Sequence, residues 1–552
     1  MSLLAYVLFA VLPLFIPGGD WTHFPPYMAL PQGGFDLSDY YLLYSFICIN
    51  ALFLFGFYFF GLRIAARDVP DHNDQKYVDA GVRSTGGGWL SDRSTRLIFG
   101  FAVLFHIVML LTPFLLSTDI FDYIRHGRIF AIYGENPLVV PATFFPQDPF
   151  FSLGGWVGTG SVYGPVHVYV AAALSIIAGD GFAANFLIFK SFFIGMNLVN
   201  LVLIGVIARR LWPGLEKKAM LFYGWNPLIL FMVAANAHND ILMLTLVLAG
   251  ILCLLSGRVM LGVLALTLGT LVKFIALPIL VVYVALVVKK QRGVGRRLLM
   301  GGVSAAVVLG TTIVSYLPLW EGSDTFTYLT TVGMKTNFTV PSLLRDVAAG
   351  HLRFALSSTI VELTLAGLLA GYMVWHAIGV KNVDGFLSAA AGLAFLTPLA
   401  LFWFQPWYLT LALGLVALRP WRFMYRAALV FSFSVMFFDS FWWHTPVSMD
   451  IQKPLRAFVV FGPPIAILFV LKARKVIPAA WRRMMAWSLE GEKSVAAVVR
   501  EVSDPSLKRV ALEISALFAA AAVPMSLIVS TSPQLRALAN LVAVKLQLIT
   551  HL

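Results

Sequence analysis

Two carboxylates and three basic side chains fall within a few residues of each other just after an apolar run that ends at 116. They are Asp119, Asp122, Arg125, His126 and Arg128, in Ser117-Thr-Asp-Ile-Phe-Asp-Tyr-Ile-Arg-His-Gly-Arg-Ile-Phe-Ala-Ile-Tyr-Gly-Glu-Asn-Pro137. Ser117 or Thr118 can cap a short helix here, and Gly134 and Asn136-Pro137 stop it. On such a helix Asp119, Asp122 and His126, at i, i+3 and i+7, share one face, with Arg125 and Arg128 beside it. A carboxylate held at the edge of hydrocarbon can take the proton of a hydroxyl, and cations beside it can face an anionic head group. The stretch is thus a candidate for chemistry on a lipid head group. A purely structural use also exists: Asp119 complements the helix dipole and Asp122 pairs with Arg125 at i+3.

The elements that must position these groups are membrane spans. The chain has 552 residues, 59% of them hydrophobic and only 12% charged, and its mean hydropathy is +0.83. That composition describes an integral membrane protein crossing many times, not a soluble globule. The net charge of +13 does not point to nucleic acid, because 29 of the 40 Lys and Arg residues fall in alternate loops. These are 63–96, 209–218, Arg258, 289–297, Lys381, 419–426 and 472–509, as the positive-inside rule expects of cytoplasmic loops. The charge is therefore a topology signal, with some attraction to anionic membrane lipids. Cys48 and Cys253 both lie inside apolar spans and read as small buried hydrophobes.

In chain order, residues 3–16 read as a short retained span and 18–39 as external. A second span covers 40–62, and the polar loop 63–96 returns inside. The third span, 97–116, then delivers Asp119 to the outer face. Residues 117–184 read as one external loop with two interfacial helices and a partly embedded hairpin, since the apolar piece 166–178 is too short to cross a core about 30 Å thick. Later spans are expected at 182–208, 219–235, 240–257, 259–273, 274–288, 298–318, 356–378, 386–403, 407–418, 424–441, 455–471 and 510–530. Pro227, Pro278 and Pro398 break several of them. A second external loop covers 319–355, and 472–509, with Trp481-Arg-Arg and Trp487, reads as an amphipathic cytoplasmic helix on the inner leaflet. The expected fold is all-α and polytopic, with about 13–15 transmembrane helices. It divides into a leader (1–96), a core (97–320), a C-terminal membrane module (321–471) and a tail (472–552).

Sorted by this topology, the polar residues at membrane depth gather at the outer ends: Asp119, Asp122, Tyr163, Asn236, His238, Asn239, Asp240, Lys273, Gln405, Trp407, Tyr408, Asp439 and His444. Charge at mid-membrane costs about 2.5–3.5 kcal/mol, so such residues are rarely idle. Each also has a plainer use. Asn236-Ala-His-Asn-Asp240 makes a tight turn, Lys273 snorkels to the interface, and Gln405-Pro-Trp-Tyr408 and Trp442-Trp443-His444 supply an aromatic belt. His106, deep in the third span, reads as a packing histidine. No Cys/His spacing suits zinc and no glycine loop suits a nucleotide phosphate.

Taken together, Ser117-Thr-Asp119-x-x-Asp-Tyr123, Gly127, Gly134-Glu-Asn-Pro137, Tyr163-Gly-Pro165, Asn226-Pro227, Ala237-His-Asn-Asp240, Leu271-Val-Lys273 with Pro278, and Gln405-Pro-Trp-Tyr408 resemble the GT-C glycosyltransferases. They are most similar to the bacterial polyprenol-phosphate-mannose-dependent mannosyltransferases of the α-1,6 type, over about 97–418. The resemblance implies an inverting transfer of a hexose, mannose above all, from a polyprenyl-phosphate sugar to a lipid or glycan hydroxyl at the outer face of a prokaryotic plasma membrane. It implies a first-loop acid as general base, at Asp119. The Asp-x-x-Asp arrangement departs from the family pattern of closer acids and leaves Asp119 and Asp122 both open. Lys273, Arg125 and Arg128 are then the candidates to face the departing phosphate. His238 and Asn239, with His126, Tyr163, Asp240 and Gln405, line the sugar site, and Trp407 or Tyr408 stack on the sugar or wall the lipid groove. No obligatory cofactor is expected, and metal use is not legible. Competing readings are a lipid-linked polymerase or ligase, a transporter or lipid flippase, and an envelope scaffold. A flippase predicts repeat symmetry and acids at mid-span; here the polar residues gather at one face.

Overall fold

The computed structural model describes residues 3–4, 6–7, 37–67, 92–112, 117–333, 339–351, 358–419, 423–437 and 449–476. Most of the expected first span, the loop around Gly86, Asp439, residues 442–444, nearly all of the amphipathic tail and the last span lie outside these residues. So does the side chain of Cys48. Among the described residues every regular element is helical, and the protein is an all-α polytopic membrane protein. The long elements are α1 (Leu37–Arg67), α2 (Arg93–Leu110), α3 (Asp119–Ala131), α4 (Pro165–Ala178), α5 (Phe182–Leu211), α6 (Glu216–Gly224) and α7 (Pro227–Ala235). They continue with α8 (Asp240–Leu255), α9 (Val259–Val272), α10 (Leu277–Lys289) and α11 (Val294–Tyr316). Beyond these come α12 (Thr327–Gly333), α13 (Val340–His351), α14 (Ser358–Gly379), α15 (Val383–Ala400), α16 (Leu409–Ala417), α17 (Phe423–Ser434) and α18 (Met449–Val476).

Among the described residues five helices are long and apolar enough to cross a bilayer unaided: Arg93–Leu110, Phe182–Leu211, Val294–Leu319, Ile360–Gly379 and Val383–Ala400. The pair α6–α7 makes a sixth, broken span, bent by 48°. Its break falls at Asn226-Pro227, where Pro227 has no N–H to give and the Asn226 side chain instead accepts from Leu228 N at 3.0 Å. Shorter apolar helices, among them α8, α9 and α4, pack between the long ones. The expected 13–15 crossings extend into residues outside the described set.

Two polar side chains inside the bundle, His106 and Lys190, fix the helix that carries the first loop. His106 is a packing histidine: Nδ1 lies 2.7 Å from Ala102 O, and Nε2 lies 2.7 Å from Asn197 on α5. Lys190 of α5, fully buried, donates to the carbonyls of Met109, Leu110 and Thr112 at 2.9, 3.0 and 2.7 Å. A helix end leaves its last carbonyls short of amide partners, and one ammonium with three donors ties those of Met109 and Leu110 to that of Thr112 just beyond the end. Lys190 thereby anchors the point at which the chain leaves α2 for Asp119.

Candidate active site

Residues 119–131 form the helix expected from the sequence, but Ser117 rather than a capping Thr118 ties its start: Ser117 Oγ accepts from Asp119 N at 3.2 Å. The helix ends where Gly134 turns with φ +70°. Every residue from Ile120 to Ile129 is buried, so the faces of α3 meet different neighbours. One packs on α4, where a Cβ on Gly127 would sit 2.3 Å from Ala171 O, a distance only glycine tolerates. Another carries Asp119, Asp122 and His126 into a cavity of about 340 Å³, which is within the small-molecule range of about 300–1,000 Å³.

The other walls come from junctions between helices. Tyr163 arrives on the segment before α4, and Gly164 makes that possible: its N donates to Val272 O at 3.1 Å. A Cβ there would lie 2.1 Å from Leu271 O. Gly164→Ala is therefore expected to lower stability by about 1–3 kcal/mol through overpacking against backbone. It should also push Tyr163 off Lys273; thermal unfolding of the purified chain in detergent checks the first effect. Lys273, just after α9, donates to both oxygens of Asp240 at 2.9 and 3.0 Å. Its Nζ sits 4.3 Å from the centre of the Tyr408 ring and 5.6 Å from that of Tyr163, within cation–π range. Gln405, Trp407 and Tyr408 enter on the turn before α16, and Trp156 and Trp403 meet edge to face with centroids 6.0 Å apart.

The Asn-Ala-His-Asn-Asp segment is more than a connection between spans. Residues 230–235 widen into a π-turn, a distortion frequent at functional sites. Ala237 then takes φ +58°, the sole non-glycine left-handed φ among the described residues. That conformation costs about 1–2 kcal/mol. In return, three consecutive side chains reach four partners. His238 approaches Asp119 and Tyr123, Asn239 Nδ2 lies 3.2 Å from His167 Nδ1, and Asp240 holds Lys273.

Of the residues singled out from sequence, Asp119, Asp122, His126, Tyr163, Lys273, Gln405, Trp407 and Tyr408 line this one cavity. His238, Asn239 and Asp240 stand behind its wall rather than on it; the His238 ring lies flat on Trp407, with centroids 3.7 Å apart and planes at 15°. Arg125 is buried and paired with Asp122 on its own helix, and also donates to Phe150 O at 3.4 Å. Arg128 corrects the sequence reading of a cation facing phosphate. It points away from the cavity, donating to Asp148 at 2.7 Å and Asp180 at 2.8 Å, because those carboxylates flank α3 on the side opposite Asp119. Sequence reasoning missed His167, Trp156 and Trp403. His167 lies in the apolar piece 166–178, and the two tryptophans belong to none of the motifs read from the sequence.

Burial pushes the Asp119 carboxyl up to about 6, against the pull of Ser117 and Lys273. Burial likewise pushes Asp122 up to about 7, the guanidinium of Arg125 opposing it. The Asp119 side chain keeps 15% of its surface, enough to meet a group in the cavity. Among the described residues no three His, Cys, Asp or Glu side chains converge as a metal site would require.

Fold and site together define a polytopic α-helical membrane protein with an acid–base cavity built from loops at one end of its helices. Residues 77–289 match the family model described as alpha-(1->6)-mannopyranosyltransferase, N-terminal domain, and the resemblance seen in the motifs is borne out over that stretch. The Gln405-Pro-Trp-Tyr408 motif lies beyond the match. A probable alpha-(1->6)-mannopyranosyltransferase of Mycolicibacterium smegmatis is 30% identical over 160 residues, 27% of each chain. Alpha-(1->6)-mannopyranosyltransferase A of Mycobacterium tuberculosis is 29% identical over 192 residues, 32% of this chain and 35% of the relative. The protein of that name from Corynebacterium glutamicum is 25% identical over 174 residues, 30% and 34% of the two chains. The alignments thus span about a third or less of these relatives' length.

Proposed function

We propose that the chain is a membrane mannosyltransferase that moves a mannosyl residue from a polyprenyl-phosphate sugar to a hydroxyl of a lipid or glycan acceptor. The reaction takes place on the non-cytoplasmic side of a prokaryotic plasma membrane, with inversion at the anomeric carbon. The acceptor oxygen bonds to that carbon as its bond to the phosphate oxygen breaks. The hydroxyl proton passes to Asp119, and the electron pair leaves with the polyprenyl phosphate. The observation that carries this reading is that Asp119 and Lys273 border one cavity, so that one group can take a proton while the other faces a developing phosphate charge. Asp122 is the less available base because its carboxylate is already engaged by Arg125. Trp407 and Tyr408 offer faces for a sugar, and Gln405, Tyr163 and His126 offer hydrogen-bonding groups. The donor carries its own leaving group, so no nucleotide is consumed.

Membranes containing the protein, given polyprenyl-phosphate [¹⁴C]mannose, are expected to transfer label into an extractable lipid or glycan. Membranes lacking it should leave all label on the donor. Equal incorporation in both would remove the assignment.

A further inference from the structure

Behind the cavity wall, His238 meets the acid, an aromatic hydroxyl and an indole at once. Its Nδ1 lies 3.7 Å from Asp119 Oδ2 and 3.4 Å from Tyr123 Oη, while its face is covered by Trp407. The ring is fully buried, and its Nε2 has no hydrogen-bond partner among the described residues. A neutral imidazole carries one proton. A buried N–H without an acceptor is rarer than an unused lone pair, so the proton belongs on Nδ1, where two oxygens await it. The Tyr123 oxygen can accept that proton as well as the carboxylate can.

We propose that His238 is the positioning residue of the base: clamped flat under Trp407, it directs Nδ1–H at Asp119 Oδ2 and so turns the other carboxylate oxygen into the cavity. This rests on the reading of Asp119 as the base. The 3.7 Å separation is longer than a hydrogen bond, and such contacts tighten when substrate is seated. The strained backbone at Ala237 fits this role, since it is what places His238 beneath Trp407 while the next two residues hold His167 and Lys273. Trp407, which borders the sugar space, and Asp119, which faces the acceptor, are thereby linked through one ring.

The groups facing Asp119 come from several elements. Ser117, Asp122 and Tyr123 come from its own segment, Tyr163 from the segment before α4, and His238 and Asp240 from the turn before α8. Lys273 follows α9, and Tyr408 precedes α16. Ser117 and Lys273 also favour the ionised carboxyl, and both stay in place when the imidazole is replaced, so loss of its N–H leaves a distinct mark on the titration of Asp119.

The test is a pH titration of the Asp119 carboxyl in the purified full-length protein in lipid nanodiscs. Difference infrared spectroscopy reads it, and the band is identified by its loss in Asp119→Asn. His238→Phe keeps a ring for Trp407 but has no donor, and the midpoint is expected to rise by about one unit, a tenfold gain in proton affinity. His238→Gln, whose amide reaches the place of Nε2, should rise in the same way. His238→Asn, whose amide N–H falls near Nδ1, should stay within a fraction of a unit of the wild type. Identical midpoints in the wild type and His238→Phe, or equal rises in all three variants, would overturn the proposal. The readout needs no turnover, so failure of label transfer in the wild type would remove the proposed reaction without touching this result.

Discussion

Asp119→Asn should cut sugar transfer by about 10²–10⁴-fold, the contribution typical of a positioned general base, while the protein stays folded. Its stability at neutral pH should equal or exceed that of the wild type. The reason lies in the sign of the burial effect. The folded-state carboxyl titrates near 6, above its ordinary value of 3.8, so the stability it contributes is fully present only below 3.8 and is lost as pH rises through 6. At pH 7 the wild type therefore holds an ionised, partly desolvated carboxylate at a cost, and the amide removes that cost. The same titration sets the activity profile, since only the ionised form accepts a proton. Transfer should rise with pH through about 6 and level off above it. Asp122→Asn should behave in the opposite way: burial raises its carboxyl too, to about 7, but the amide relieves that cost only by orphaning a guanidinium that cannot shed its proton. It leaves the buried Arg125 guanidinium without its carboxylate, a loss of about 3–5 kcal/mol, visible as a lower unfolding midpoint and poor expression. Initial rates and thermal unfolding of both variants in nanodiscs decide between the two acids. An Asp119→Asn protein with full turnover would dismiss Asp119 as the base.

Much of this arrangement was legible before any coordinate. Hydropathy and the placement of Lys and Arg located the helices, because both follow from the bilayer alone: the expected spans at 182–208, 240–257 and 259–273 match Phe182–Leu211, Asp240–Leu255 and Val259–Val272. The same parity placed Asp119, Tyr163, Lys273 and Trp407 at one end, where they share a cavity. What stayed hidden depends on contacts between distant segments. Nine residues at 3.6 per turn already set Arg128 opposite Asp119 on α3, but no spacing shows that Asp148 and Asp180 would hold it there. Lys190 sits in an apolar run whose hydropathy masks it, and its partners are carbonyls, which every residue has and no sequence marks. The stacking of His238 on Trp407 joins two motifs far apart in the chain, and neither announces the other.

The second large effect concerns Lys273, whose two duties can be separated by a pair of substitutions. Lys273→Met removes the partner of Asp240, a carboxylate 1% exposed. An unpaired buried charge of that kind costs about 3–5 kcal/mol, so the single variant should be both unstable and inactive. Inactivity alone would then say nothing about phosphate. Asp240→Asn added to Lys273→Met takes away the orphaned charge and should restore most of the unfolding midpoint. An amide in place of the carboxylate does not, however, supply a cation for a departing phosphate. The double variant should therefore remain slower than wild type by about 10²–10³-fold, the loss typical when one preorganised electrostatic donor is removed. The defect should lie in the rate at saturating donor, because the phosphate gains charge only as its bond to the sugar breaks. If the double variant instead regains wild-type turnover along with its stability, Lys273 serves only to neutralise Asp240. The charge on the leaving phosphate must then be met by another cation. Arg345 is one alternative among the described residues, its guanidinium lying 6.0 Å from the ring centre of Phe402 on the cavity wall.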